Sequence, residues 1–241
     1  MSCKINSLSP PFPCKLCTKK SKFRRRRRST IFFSFSSEKQ ENTISTSIEP
    51  STTESYTVSF KTEKGCKLEI SRYPDFEYDA EGGIGTGVGA KVTENSTESD
   101  LPVSFDLETL YIPPLTSSTT KFLGLPLPPF LKIDIVPQAF QGSINQESGK
   151  VDLEFKARFI FSAGSLYKAA PLLVKTVLTS EESKGIVKSG RGKRLDKEGK
   201  CRLVGVATVD PIDDFLMNSF LGLPTECLAD LKAVISISSS S

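Results

Sequence analysis

The residue types that most often carry chemistry in proteins are either missing from this chain of 241 residues or stand alone. The chain has no histidine, which removes the commonest general base and the commonest metal ligand. Its densest carboxylate group is Asp210, Asp213 and Asp214. Carboxylates are stabilised at a helix start by the helix dipole, so we predict that this group caps a helix. We predict no catalytic residue, no metal site and no cofactor.

Two other motifs have the spacing of binding sites but not their context. Cys14-Lys15-Leu16-Cys17 is a single C-x-x-C without the second pair or histidines that a zinc site needs. Gly85-x-Gly87-x-x-Ala90 matches a dinucleotide-binding turn, but the segment after it has no helical periodicity. We predict instead a strand whose glycines at 83, 85, 87 and 89 form one bare face for close backbone approach. Contact of that face with a flat ligand is the alternative.

The formal net charge of +4 divides into a basic head and an acidic body. Ten of the 32 basic residues lie in residues 1–37, whereas all 28 acidic residues come later, so residues 38–241 have a net charge of −6. A basic, hydroxyl-rich head without acidic residues is typical of a transit peptide. We expect residues 1–37 to direct import into a plastid, and hence a chloroplast protein of the stroma or a stromal membrane face. A mitochondrial presequence is one alternative. A nuclear or nucleic-acid signal at Arg24–Arg28 is another.

The rest of the chain divides into a linker, one domain and a tail. Residues 38–54 are polar and lack apolar periodicity, which predicts a disordered linker. A single β-rich domain is expected over 55–236, and a tail over 237–241. The body cysteines Cys66, Cys201 and Cys227 are too few and too widely spaced for a disulfide framework. They are predicted to be buried small apolar residues, with a redox thiol pair as the alternative.

Alternation of apolar and polar residues predicts a mainly β fold. It is clearest in residues 151–161, where Val151, Leu153, Phe155, Ala157, Phe159 and Phe161 share one face. Near residue 210 the period changes. Asp210 and Pro211 then predict a first helix that ends at Gly222, and Pro224 predicts a second. We therefore expect an antiparallel β-sandwich or barrel with a short C-terminal helical pair.

An apolar, proline-rich connection is the first candidate functional segment. Loops are ordinarily polar, so this apolar loop is expected to be shielded from water. It would be either a plug at one end of the fold or a portal or docking surface. With the inward phenylalanines of residues 151–161, it supplies our candidate ligand and portal residues: Phe122, Leu123, Leu125, Leu127, Phe130, Phe155, Phe159 and Phe161. Its letters Phe-Leu-Gly-Leu-Pro recur at 220–224, and we expect both copies to lie near each other and to turn alike.

A basic segment is the second candidate. Lys188, Arg191, Lys193 and Arg194 form a local positive patch on the acidic body. A solvated hairpin and a surface for anionic lipid are both consistent with it. No aromatic residue is interleaved with these charges, so nucleic acid is not an expected partner. The sequence has no stretch of about 20 apolar residues, so we predict no transmembrane helix.

Together these patterns predict a non-catalytic plastid protein. It would bind an apolar ligand, a lipid or a pigment, or dock peripherally on a membrane such as the thylakoid or envelope, or on a protein partner. Two alternatives remain: a scaffold or assembly protein with a solid core, and a histidine-free barrel isomerase or cyclase. An apolar cavity would favour the binder, a buried carboxylate with a raised pKa inside a cavity would favour the enzyme, and a filled core would favour the scaffold.

Overall fold

The computed structural model of this protein describes residues 53–73, 75–92 and 100–239. These residues belong to one compact unit. The predicted transit peptide, the linker up to residue 52 and the C-x-x-C motif lie outside them. The first strand begins at Thr53 and the last one ends at Ser239, so regular structure extends beyond the predicted limits of the domain at both ends.

The fold is mainly β, as predicted, and its large sheet is antiparallel. Nine strands form the continuous path of that sheet. They are β1 (Thr53–Thr62), β2 (Lys67–Ile70), β4 (Ile84–Val92), β5 (Asp100–Phe105), β8 (Leu131–Asn145), β9 (Val151–Ala163), β11 (Leu172–Thr179), β14 (Lys200–Val209) and β15 (Thr225–Ser239). Their order is β1-β4-β5-β8-β9-β11-β14-β15-β2, and β15 also pairs with β1, so the sheet closes into a ring.

Smaller elements cover this ring. One is a three-stranded sheet of β3 (Glu77–Tyr78), β6 (Thr120–Phe122) and β7 (Leu125–Pro126). A second is β10 (Tyr167–Lys168), which pairs with β9. A third is the hairpin of β12 (Glu182–Lys184) and β13 (Ser189–Arg191). The helix α1 (Phe215–Leu221) lies between β14 and β15 in the chain.

The interior of the ring differs between its two ends. At one end the core is filled by buried side chains from β1, β5, β8, β9, β14 and β15, including Val58, Val103, Ile144, Leu153 and Leu203. Four phenylalanines close this core toward the middle of the ring. Phe140 stacks on Phe105 at 4.4 Å between centroids and meets Phe60 and Phe155 edge-on. Aromatic pairs in these arrangements add to the energy of burial. We call the four phenylalanines Phe60, Phe105, Phe140 and Phe155 the floor.

The glycine-rich strand is confirmed. In β4, Gly85 and Gly87 are buried while Thr86 and Val88 are exposed. A β-carbon at Gly87 would lie 2.8 Å from Val103 Cγ2 and 3.0 Å from Phe105 Cδ1, which belong to β5. The bare face therefore allows close packing inside the ring. The dinucleotide motif has no helix after its glycines, because β4 continues to Val92.

The predicted helical pair is wrong in its second member. Residues 225–239 form β15, the longest strand together with β8, rather than a helix. Cys227, Leu231 and Ile235 fit a helical stripe, but they also belong to the alternating series of inward residues of β15, which pairs with β14 on one side and with β2 and β1 on the other. Pairing on both sides outweighs the local helical pattern, because strand formation depends on neighbours more than on intrinsic propensity.

The first helix exists, but it begins later than predicted. Its N-cap is Asp214 rather than Asp210, and the carboxylate of Asp214 accepts a hydrogen bond from the Met217 amide at 3.0 Å. Before the helix, the side chain of Asn218 bonds both backbone groups of Ile212, which holds residues 210–213 in a loop. Gly222 caps the C-terminus in the left-handed conformation, as predicted.

Replacing Gly87 by alanine should destabilise the fold, because the new methyl group would push against the packed side chains of β5. We expect the free energy of unfolding to fall by about 1–3 kcal/mol, the usual cost of overpacking. Denaturant titration measures this loss. Thr86→Ala, one residue away on the exposed face, is the matched control and should change stability by less than about 0.5 kcal/mol. Equal stability of the two variants would contradict close packing of the glycine face.

Candidate functional site

An apolar cavity occupies the part of the ring that the core leaves unfilled. It consists of two adjacent chambers of about 100 and 250 Å³. The surface of both is essentially all apolar. Four residues, Leu68, Phe159, Val174 and Cys227, line both chambers and so mark where they meet. Engineered cavities of about 150 Å³ with a similar apolar lining stay dry and take up small hydrocarbons, so this space is large enough for an apolar molecule.

The inward faces of the strands build the walls. The predicted inward series of β9 is confirmed, and its phenylalanines follow the cavity in order: Phe155 lines the smaller chamber, Phe159 both, and Phe161 the larger. Val151 and Leu153, earlier in the same series, are fully buried in the filled core. By contrast, the three phenylalanines keep some accessible surface although they face inward. That remaining surface is exposed to the cavity.

Two of the polar lining residues, Thr62 and Thr176, direct their hydroxyls to backbone carbonyls. Thr176 donates to the Val206 carbonyl at 2.8 Å, which leaves its methyl group for the wall. Thr62 in β1 donates to the carbonyl of Ala80. Because these hydroxyls are satisfied by backbone, the chambers offer no free polar partner to a ligand from these side chains.

The two Phe-Leu-Gly-Leu-Pro segments meet over the larger chamber. Phe122 and Phe220 both line it, and their ring centroids are 5.9 Å apart. Tyr73 packs on both rings, at 4.9 and 5.4 Å. The expectation that the copies lie together is therefore confirmed. Their backbones differ, however: the first is a hairpin turn with Leu123 and Gly124 at positive φ, while the second is a helix end capped by Gly222.

Helix α1 is fastened across the chamber at both of its ends. At its N-terminus the Tyr167 hydroxyl of β10 donates to Asp214 at 2.5 Å. That hydrogen bond, with the Met217 amide, lowers the pKa of Asp214, while burial and the bond to Asp214 raise the pKa of Tyr167 to about 12. At the C-terminus, Tyr73 donates to the Phe220 carbonyl and Arg72 to that of Ser219. Met217 and Leu221 line the chamber from above.

Exposed apolar side chains surround this covered end. We call them the apolar rim: Leu123, Leu125, Phe130, Leu166, Phe215 and Leu216. They lie on segments that contact one another in turn. The hairpin of β6 and β7 meets α1 through Phe122 and Phe220, α1 meets β10 through Asp214 and Tyr167, and the turn before β10 meets Phe130 through the Gly164 amide. The segments that carry the rim residues are therefore linked to one another.

The structure thus divides the predicted portal residues into two groups. Phe122, Leu127, Phe155, Phe159 and Phe161 line the cavity. Leu123, Leu125 and Phe130 point outward into the rim. The sequence analysis missed Val174 and Cys227, which line the cavity. It also missed Tyr73 and Tyr167, whose hydroxyls bond to the two ends of α1. The alternation in β11 was a usable signal for Val174, but the predicted helix concealed Cys227.

The basic segment is largely neutralised by carboxylates from elsewhere in the fold. Lys188 pairs with Glu69 of β2 at 2.9 Å, Arg194 with Glu181 at 2.5 Å, and Lys193 with Asp196 at 3.6 Å. Of the four predicted patch residues, Arg191 is the one for which no ion pair is seen among the described residues. A patch that is basic in sequence is therefore close to neutral as a surface.

The one buried carboxylate among the described residues has a structural role. Glu226 accepts hydrogen bonds from the amides of Ile186, Val187 and Lys188 at 2.6–2.8 Å. These three donors lower its pKa, because they stabilise the ionised form. Glu226 lies outside both chambers and holds the tip of the β12–β13 hairpin against β15.

The cysteines do not form a redox pair within the described part of the chain. Cys66, Cys201 and Cys227 are all free thiols. Burial raises the pKa of Cys201 to about 12 and that of Cys227 to about 11, and it also raises the pKa of Cys66. Raised values disfavour the reactive thiolate, so these thiols have the character of buried apolar groups.

Neither a metal site nor a membrane-spanning helix is found among the described residues, and the chain matches none of the proteins it was compared with. Over residues 53–73, 75–92 and 100–239, no group of three or more cysteine, aspartate and glutamate side chains is arranged to hold a metal ion. Within the same residues, no helix has the length and apolar character to cross a membrane. Searches of protein-family models, curated proteins and solved structures found no match to this chain.

Alkylation of Cys227 should be slow in the native protein, since a pKa near 11 leaves about a thousandth of the thiol ionised at pH 8. We expect the rate with iodoacetamide to rise about tenfold per pH unit between pH 7 and 9, and to rise strongly on denaturation. Peptide mapping by mass spectrometry separates Cys227 from the other thiols. Native labelling as fast as in the denatured chain would contradict burial in the cavity wall.

Proposed function

We propose that the ring of strands acts as a barrel that holds an apolar ligand and catalyses no reaction. The observation that carries this proposal is the pair of adjacent chambers with an essentially apolar surface. Ligand pockets combine apolar walls with a few polar groups that fix orientation, and here the walls are present without polar groups inside. Burial of apolar surface is thus the source of affinity that such a site offers.

The chamber also distinguishes this proposal from its two alternatives. A solid scaffold would be filled along its whole length, whereas here two clusters of buried side chains leave two chambers among them. An isomerase or cyclase needs an acid or base facing its substrate. The buried carboxylate, Glu226, faces the backbone of the β12–β13 hairpin instead.

Filling the junction of the chambers should abolish ligand retention. Val174 lines both chambers, so Val174→Phe would occupy the space where they meet. We expect mass spectrometry of extracts from the purified full chain to recover an apolar compound, and the variant to retain at least about tenfold less, a loss of ~1.4 kcal/mol in binding. Leu173→Phe, the outward-facing neighbour on β11, is the matched control and should retain the compound like the unaltered chain. Equal recovery from both variants would refute the proposal.

We further propose that the apolar rim docks on a lipid bilayer. Leu123 supports this proposal, because it is 58% exposed and takes a left-handed conformation with φ of 51°. That conformation costs a non-glycine residue about 1–2 kcal/mol, and asparagine or glycine is usual at such a turn. An apolar side chain held there against both preferences is best explained by contact with an apolar surface. A bilayer would also be the source of an apolar ligand next to the end of the cavity.

Docking of this kind would depend on apolar insertion more than on charge. The basic segment supplies little free charge, because Lys188, Lys193 and Arg194 are ion-paired. The head of residues 1–37, in the proposed role of a plastid address, would be removed from the working protein. We propose that the protein works in the chloroplast stroma, at a membrane face.

Phe215→Ser should weaken binding to vesicles of neutral phosphatidylcholine. Phe215 is 87% exposed at the start of α1, and inserting a phenylalanine is worth about 1.5–3 kcal/mol, so the partition coefficient should fall at least about tenfold. Co-sedimentation of the full chain with vesicles measures this change. Val88→Ser removes an exposed apolar side chain from β4, outside the rim, and should leave binding unchanged. A similar loss in both variants would argue against docking through the rim.

A further inference from the structure

The two chambers lie end to end along the strands. On three strands the lining residues follow the same order, from the smaller chamber, through a shared residue, to the larger one. The series are Phe155, Phe159 and Phe161 on β9; Leu178, Val174 and Leu172 on β11; and Leu231, Cys227 and Thr225 on β15. Each series spans six residues, or about 20 Å at the rise of a β-strand. The cavity is therefore elongated, with its long dimension along the strands.

One end of this elongated cavity is closed by fixed packing and the other by tethered elements. Behind the smaller chamber lies the floor of four phenylalanines, with Phe140 packed on Phe155 at 6.0 Å. Over the larger chamber lie α1 and the β6–β7 hairpin, which are held by individual hydrogen bonds and ring contacts. A ligand can therefore enter from the α1 end without breaking the core, and its inner tip would stop at the floor.

Because the surface inside is apolar, the inserted part of a ligand must be hydrocarbon. A carbonyl or hydroxyl group in either chamber would lose its hydrogen bonds to water without a replacement, which is costly. The combined volume also limits the inserted part to one slender chain. A flat ring system with polar substituents satisfies neither condition.

We propose, as a refinement that rests on the proposed function, that the ligand is a lipid with a single extended hydrocarbon chain. The chain threads both chambers, with its methyl end at the floor and its polar head outside at the α1 end. A depth of about 20 Å corresponds to roughly 16 carbons, since each bond of about 1.5 Å advances an extended chain by roughly 1.3 Å. The floor of phenylalanines then limits the length of chain that the cavity accepts.

Titration of the full chain with unbranched fatty acids of graded length tests this proposal. Each added CH₂ group should raise the affinity about fourfold until the chain reaches the floor, at roughly 16 carbons, after which the gain stops. Ala207→Leu should move this limit to chains shorter by roughly three or four carbons, because Ala207 lines only the smaller chamber and leucine adds three carbon atoms there. Thr208→Leu, its exposed neighbour on β14, is the matched control and should leave the limit unchanged.

Phe155→Leu provides a second test that does not depend on tolerance of added bulk. It enlarges the smaller chamber and should move the limit to longer chains. Pyrene, a flat hydrocarbon, separates this proposal from the proposed function. If pyrene binds while fatty acids show no dependence on length, or while the limit stays in place in both cavity variants, the single-chain proposal is overturned and apolar binding stands. If neither pyrene nor any fatty acid binds, both proposals fail.

Discussion

The structure depends on the double pairing of its last strand. On one side β15 pairs with β14 over ten residues, and on the other it pairs with β2 and then with β1, the first strand. This arrangement leaves β1 and β15 without free edges along most of their length, which removes a common cause of aggregation. It also closes the ring, because β4, β5, β8, β9 and β11 connect β1 to β14 around the interior.

The fold holds two clusters of buried side chains and, among them, the two chambers. At one end, phenylalanines from β1, β5, β8 and β9 meet in the centre, and the glycines of β4 let this cluster come close to the wall. Toward the other end, Phe161 and Ile133 pack against a second cluster of buried side chains, and the larger chamber lies beside them. That end is covered by α1 and the β6–β7 hairpin, both of which present apolar side chains on two sides. The same short segments thus form the cover of the cavity and an exposed apolar surface.

Two carboxylates in this fold organise loops. Glu226 holds the tip of the β12–β13 hairpin through three amides, and Asp214 joins the start of α1 to Tyr167. In both cases the carboxylate accepts hydrogen bonds from backbone amides, and these bonds lower its pKa. The basic residues near the same hairpin are engaged with Glu69, Glu181 and Asp196. The apolar interior is therefore the part of the molecule that offers free interaction energy.

Local patterns in the sequence were enough to determine the β class, most strand positions, the inward face of β9, the bare face of β4 and the glycine cap of α1. Each of these depends on side-chain period or on backbone conformation within a few residues. Three features depended on residues far apart in the chain. Residues 225–239 are a strand because β1, β2 and β14 pair with them, although their apolar spacing also suits a helix. Three of the four predicted patch residues pair with carboxylates, one of them as distant as Glu69. The cavity lies among side chains of strands that are distant in sequence, such as β9, β11 and β15, so no local pattern records it.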